Sequence, residues 1–143
     1  MVNAKTKREG LTNKKLGNNF EAEFAEILFE EGFWVHLMQQ NSSGQPADVL
    51  AARNGRAFLI DCKVCSGGRF ALSRMEDNQD LSMELWKVSG NGEGWFAVLL
   101  NGTIYMIPHI GIKALSAEKS YATEIDVIEY GITLERWLKK KWK

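Results

Sequence analysis

The chain has 143 residues, 45% of them hydrophobic and 25% charged, with 18 basic and 18 acidic side chains and a net charge of zero. Those values fit a single globular domain over residues 1–143, large enough for a hydrophobic core. No apolar run approaches the roughly 18 residues that would span a bilayer, and the polar amino terminus carries no signal-peptide core, so an intracellular protein with no membrane partner is expected. The zero net charge hides an uneven distribution. Lys5, Lys7, Arg8, Lys14 and Lys15 against Glu9 leave residues 1–15 at +4, while Arg136, Lys139, Lys140, Lys141 and Lys143 against Glu135 leave residues 135–143 at +4, so the middle carries −8. Basic ends around an acidic centre suit a chain that grips an anionic polymer while gathering carboxylates for a metal; merely solvated ends would give the same pattern.

Residues 1–16 read as a loose basic arm. The stretch 18–31, NNFEAEFAEILFEE, predicts the first helix, with Phe20, Phe24, Ile27 and Leu28 at helical spacing and Gly32 as its stop. Residues 33–39 predict a strand and 41–46, NSSGQP, a loop. A hairpin follows, with strands near 47–53 and 56–65 about Asn54-Gly55, a pair that favours a type I′ turn. SGGRFAL reads as a mobile glycine-rich connection. A helix over about 74–88 opens with Ser73 and Glu76 at capping-box spacing and carries Met75, Leu81, Leu85 and Val88 on its apolar side. Residues 95–100 and 103–108 predict a second hairpin around Asn101-Gly102, then a turn or short helix near 109–115 and a closing helix from Thr133. The order α-β-β-β-α-β-β-α predicts an α/β fold with a mixed central sheet flanked by helices.

The first hairpin carries an anomaly. Its strands are almost wholly apolar, yet they hold Asp48, Asp61 and Lys63. Counting back from the turn, Arg53 opposes Arg56, Ala51 opposes Phe58, Val49 opposes Ile60 and Asp48 opposes Asp61, with Lys63 on the face of Asp61. Two facing aspartates on a buried hairpin repel unless a cation joins them, and a divalent metal answers the pair more fully than Lys63 alone. In the first helix, Glu21 sits beside the apolar stripe, whereas Glu23, Glu26 and Glu30 share the outer face, so Glu21 is the acid best placed to reach inward. Cys62 and Cys65, three apart on one strand, point to opposite faces and read as buried structural thiols; His36 and His109 stand isolated.

Asp48, Asp61 and Lys63 in PAD…IDCK resemble the PD-(D/E)xK nuclease signature. More specifically, Gly17 and Glu21 in the first helix, Gly32, Phe33 and Val35, a serine-containing loop, the hairpin and its D-x-K resemble the core of the archaeal-type Holliday junction resolvases and their viral relatives. Gln79 matches a glutamine common there and in the more distant RecU resolvases, and GITLERWL resembles the closing helix of the family. The chain departs from the pattern in inserting Ala47 between proline and aspartate and in carrying Asp61 where glutamate is commoner.

The resemblance implies a restriction-endonuclease-like core and an intracellular enzyme, cytoplasmic or nucleoid-associated, or viral-encoded and acting in the host cell, that cuts four-way DNA junctions as a homodimer, leaving 5′-phosphates. It implies that Glu21, Asp48, Asp61 and the Cys62 backbone carbonyl hold Mg²⁺, with Mn²⁺ as a substitute, and that Lys63 acts on the water or phosphate. Ser43, favoured over Ser42 because it precedes Gly44, and Gln79 are expected to orient water or phosphate. Lys14, Lys15, Arg69 and Arg74 are expected to grip the DNA backbone. A restriction- or repair-type endonuclease of the same fold, or a non-catalytic nucleic-acid-binding module, would carry the same features.

Overall fold

The computed structural model describes residues 13–39, 46–72 and 77–142. Helix α1 runs Asn13–Glu30, followed by strands β1 (Trp34–Leu37), β2 (Val49–Arg53), β3 (Arg56–Val64) and β4 (Arg69–Ala71). Helix α2 (Asp77–Trp86) runs into a wider turn over Lys87–Asn91 and leads to β5 (Trp95–Leu100) and β6 (Thr103–Pro108). Helix α3 (His109–Glu118), β7 (Tyr121–Thr123), α4 (Glu124–Tyr130), β8 (Ile132–Thr133) and α5 (Leu134–Lys139) complete the described chain. Residues 13–16, expected in the basic arm, are thus helical, and the rest of that arm lies outside the described residues.

Six strands form one sheet in the order β1-β2-β3-β5-β6-β8, while β4 and β7 pair separately. Only β3 and β5 run parallel in that sheet; the other pairings are antiparallel. All six residues of β5 are buried, which its unbroken apolar run WFAVLL requires of a central strand covered on both faces. The expected mixed sheet flanked by helices is present.

Local chemistry explains the joints. Helix α1 ends in a Schellman motif: Phe33 N–H donates to the Leu28 carbonyl at 3.0 Å, Gly32 N–H donates to Phe29 at 3.1 Å, and Gly32 has φ +90°. Asn54 and Gly55 both have positive φ (54° and 77°), as a type I′ turn demands, and the pairs Arg53–Arg56, Ala51–Phe58 and Val49–Ile60 form as counted.

Two cores lie on the two faces of the sheet. On one, Phe20, Phe24 and Leu28 of α1 meet Val49, Ile60 and Ala97, with Trp137 of α5 closing the cluster. Each of the larger aliphatic and phenyl side chains among them contributes about 2 kcal/mol. On the other, Met83, Ile112, Leu115 and Val127 cover Leu59, Phe96 and Val98. Cys62 belongs to the first face and Cys65 to the second, both as free thiols. Among the described residues, no helix is long and apolar enough to cross a membrane.

The orientation of α2 differs from expectation. Leu81, Leu85 and Val88 are 61%, 55% and 76% exposed, and the helix instead buries Gln79 and Met83. A polar contact explains the turn of the helix: Gln79 reaches the sheet to hydrogen-bond Asp61, which rotates the leucine row outward. Ser73, Met75 and Glu76, the expected start of this helix, lie outside the described residues.

Candidate active site

The acidic site is built at the end of the first hairpin. The ladder between β2 and β3 stops at Val49–Ile60, and beyond it the Asp48 amide donates to the Ile60 carbonyl at 3.1 Å. The Asp48 carboxylate accepts from the Cys62 amide at 2.7 Å, so a side chain takes the place a strand carbonyl would occupy. Asp48 and Asp61 meet as anticipated, although through this modified end rather than as a ladder pair.

Asp61 is 1% exposed. Lys63, on the same face by strand periodicity, places Nζ 3.0 Å from Asp61 Oδ2. From α2, Gln79 donates Nε2 to Asp61 Oδ1 at 3.0 Å. Helix α1 brings Glu21 from the other side, within hydrogen-bonding reach of Asp48. Three elements therefore converge on one point, and Asp48 sits between Glu21 and Asp61.

Among the described residues, Lys63 is the ammonium that the three carboxylates share. Burial, then the charge of Asp48, pushes the Glu21 carboxyl up to about 7, with Lys63 opposing. Burial raises Asp61 well above the usual carboxylate range, against the pull of Lys63 and with a further push from Asp48. Burial, reinforced by Asp48, Asp61 and Glu21, also raises the Cys62 thiol, which stays protonated and inert. Gln79 Oε1 is buried with no hydrogen-bond partner. Hard oxygen donors crowded against one another, with raised carboxyls and an orphaned buried oxygen, are the features that a hydrated divalent cation satisfies, so the residues present fit Mg²⁺ or Mn²⁺.

The structure thus brings together Glu21, Asp48, Asp61, Lys63 and Gln79. Arg69 is elsewhere, exposed on β4 with its guanidinium 4.3 Å from the centre of the Tyr121 ring. Ser43 and Arg74 lie outside the described residues, as do the side chains of Lys14 and Lys15.

A second group was not foreseen. His109, read from sequence as isolated, has Nε2 at 2.7 Å from Asp80 Oδ1 and Nδ1 at 3.7 Å from Glu84 Oε1. These three residues place one ligand atom each within 4.8 Å of one another. Lys113 already lies against the same acids, 3.0 Å from Glu84 and 3.9 Å from Asp80, so this group is answered by a lysine of its own. Asp80 and Glu84, four apart on α2, were visible as a helical pair; nothing in the sequence tied His109 to them.

Known proteins resemble this chain in sequence and fold. The family model for the archaeal Holliday junction resolvase (Hjc) matches residues 12–143. The crossover junction endodeoxyribonuclease Hjc of Methanocaldococcus jannaschii is 29% identical over 91 residues, 64% of this chain and 64% of that protein, so the match spans slightly less than two thirds of the relative. The structure of Archaeoglobus fulgidus Hjc, a Holliday junction resolvase, matches with a TM-score of 0.64 at 17% identity, covering 89% of this chain and 98% of the other, a likeness of fold. With nearly its whole length matched by the family model, the chain belongs to the archaeal Holliday junction resolvase family.

Proposed function

We propose that the chain is a divalent-metal-dependent endodeoxyribonuclease that resolves four-way DNA junctions by paired phosphodiester hydrolysis. The observation that carries this reading is the convergence of Glu21, Asp48 and Asp61 beside Lys63, where burial and mutual repulsion raise the Glu21 and Asp61 carboxyls so that they hold protons a dication would replace. Family membership, which implies divalent-metal use, supports the junction as substrate.

Glu21, Asp48 and Asp61, together with the Cys62 carbonyl, would hold Mg²⁺ or Mn²⁺. The bound ion supplies Lewis acidity to the phosphate and a more acidic water. The chain's own groups do the positioning. The Cys62 amide fixes one Asp48 oxygen, and Gln79 fixes one oxygen of Asp61. Gln79 Oε1, lacking a partner, is free to accept a hydrogen bond from an attacking water. Lys63, anchored by Asp61, donates to the phosphate oxygens as negative charge gathers there. Ser43 joins Gln79 as an orienting group, and Lys14, Lys15, Arg69 and Arg74 grip backbone phosphates.

Two symmetric incisions require two such sites, so the working unit is a homodimer. The outward Leu81 and Leu85, at i and i+4 on α2, with exposed Val88 in the turn that follows, support that reading as the apolar surface a second copy would cover.

The test is to incubate the protein and Mg²⁺ with a four-way junction, a duplex of matched sequence and single-stranded DNA. Paired symmetric nicks confined to the junction, absent in Asp61→Asn, are expected. Equal cutting of the plain duplex would remove junction resolution in favour of a restriction- or repair-type enzyme, and tight binding without cutting would leave a binding module.

A further inference from the structure

At the turn end of the first hairpin, the carboxy-terminal segment folds back over β2 and β3 and closes a cavity of about 270 Å³. Arg53, Arg56, Lys140 and Lys141 contribute four basic side chains to its lining, and among the described residues no carboxylate lines it. In a chain with no net charge, that concentration of one sign at one concave spot is notable.

The cavity is also built. Trp142 forms an aromatic wall with Phe58 at 5.0 Å between ring centres, held from behind by Trp95 and Trp137 at 5.6 Å each. Lys140 Nζ lies 5.1 Å from the centre of the Trp142 ring, and the Arg56 guanidinium 5.8 Å from it. Arg53 lies 4.3 Å over Phe33 and donates to the carbonyls of Glu31 (2.8 Å) and Leu138 (3.0 Å). Those partners are neutral, so Arg53 is held in place without a counter-charge among the described residues.

We infer that this cavity is a docking site for a phosphodiester group of nucleic acid, separate from the catalytic centre. Arg56 and Asp61 are five residues apart on β3, about 17 Å at the usual rise per residue, and point to opposite faces of the sheet. A phosphate in this cavity is therefore not the one being cut. It belongs to the backbone of a junction arm away from the incision. The cations supply the attraction, and the Trp142 wall and the Arg53 clamp fix where the phosphate sits. The anion chemistry stands on the cavity alone; the assignment to a junction arm rests on the nuclease reading above.

The test measures junction affinity against salt concentration by fluorescence anisotropy, without divalent metal. Lys140→Gln/Lys141→Gln is expected to lower the salt slope by about one to two units, because each lost phosphate contact removes roughly one. Trp142→Leu keeps every cation and is expected to weaken binding several-fold. Lys139→Gln, one residue outside the cavity lining, is expected to leave the slope unchanged. A double variant with the wild-type slope, or an equal fall in slope from Lys139→Gln, would overturn the site in favour of no contact or a diffuse basic tail. Failure of the nuclease reading shows separately, as wild-type protein that binds DNA with this slope pattern yet cuts no junction in Mg²⁺.

Discussion

Helix α2 offers successive residues to two acidic groups with opposite characters. Gln79 faces Asp61, which is 1% exposed and shares a single lysine with Asp48 and Glu21. Asp80, the next residue, faces His109 and Lys113 beside Glu84, where the two acids are 36% and 44% exposed. In the second group the acids are open to solvent and Lys113 lies against both, and Glu84 holds the Lys113 ammonium well in its charged range. In the first group, burial strips away water and the cation count falls short. A cluster of acids signals a guest only when the protein has withheld both solvent and counter-charge.

The comparison can be broken from either side. Asp61→Asn has the largest expected effect: loss of Mg²⁺-dependent cutting to background, measured in single-turnover assays, with the fold retained. Lys63→Gln should follow, slowing cutting by about 100- to 1,000-fold at saturating metal, the scale of losing one donor to developing charge. Leu85→Glu, on the exposed row, should convert a dimer to a monomer in sedimentation and uncouple the two nicks, so that singly nicked junctions accumulate.

Glu21 links the comparison to pH. Its carboxyl in the metal-free fold lies near 7, against an ordinary value of 4.5. The folded chain therefore holds that proton more tightly than the unfolded chain. The associated stability is full below about pH 4.5 and is lost as pH rises through about 7. Metal binding must displace the same proton. Mn²⁺ affinity is expected to fall as pH drops below about 7, and the thermal stabilisation by Mn²⁺ to be greater at pH 8 than at pH 5. Glu21→Gln should remove that part of the pH dependence and weaken the binding that remains. The smallest effect is expected from Lys113→Gln, which touches only the solvated group and should leave cutting, metal affinity and its pH profile as they are.

Much of the buried acidic site was legible in the sequence because it depends on local rules. Gly32 stops α1 as glycine permits, and Asn54-Gly55 sets the register that carries Asp48 toward Asp61. The period of a strand places Lys63 beside Asp61. What escaped depends on contacts distant in the chain. The apolar row of α2 predicted its buried face, yet one hydrogen bond from Gln79 to Asp61 coincides with the opposite rotation. The strand β4 read as a loose glycine connection, since three residues acquire meaning only through pairing with β7. Helix α4 was passed over although Thr123 and Asp126 form a capping box at its start; with only seven residues, it lacks a long periodic stripe. The cavity at the hairpin turn joins Arg53 and Arg56 to Lys140 and Lys141, more than eighty residues on, which charge counting at the termini could suggest but not locate.

The most direct test is a calorimetric titration of Mn²⁺ into the wild type, Asp61→Asn and Asp80→Asn at pH 7.5. The account predicts saturable binding to the wild type, its loss in Asp61→Asn, and its retention in Asp80→Asn. Binding that survives in Asp61→Asn but disappears in Asp80→Asn would contradict it, moving the metal from the buried, unbalanced group to the solvated one beside it.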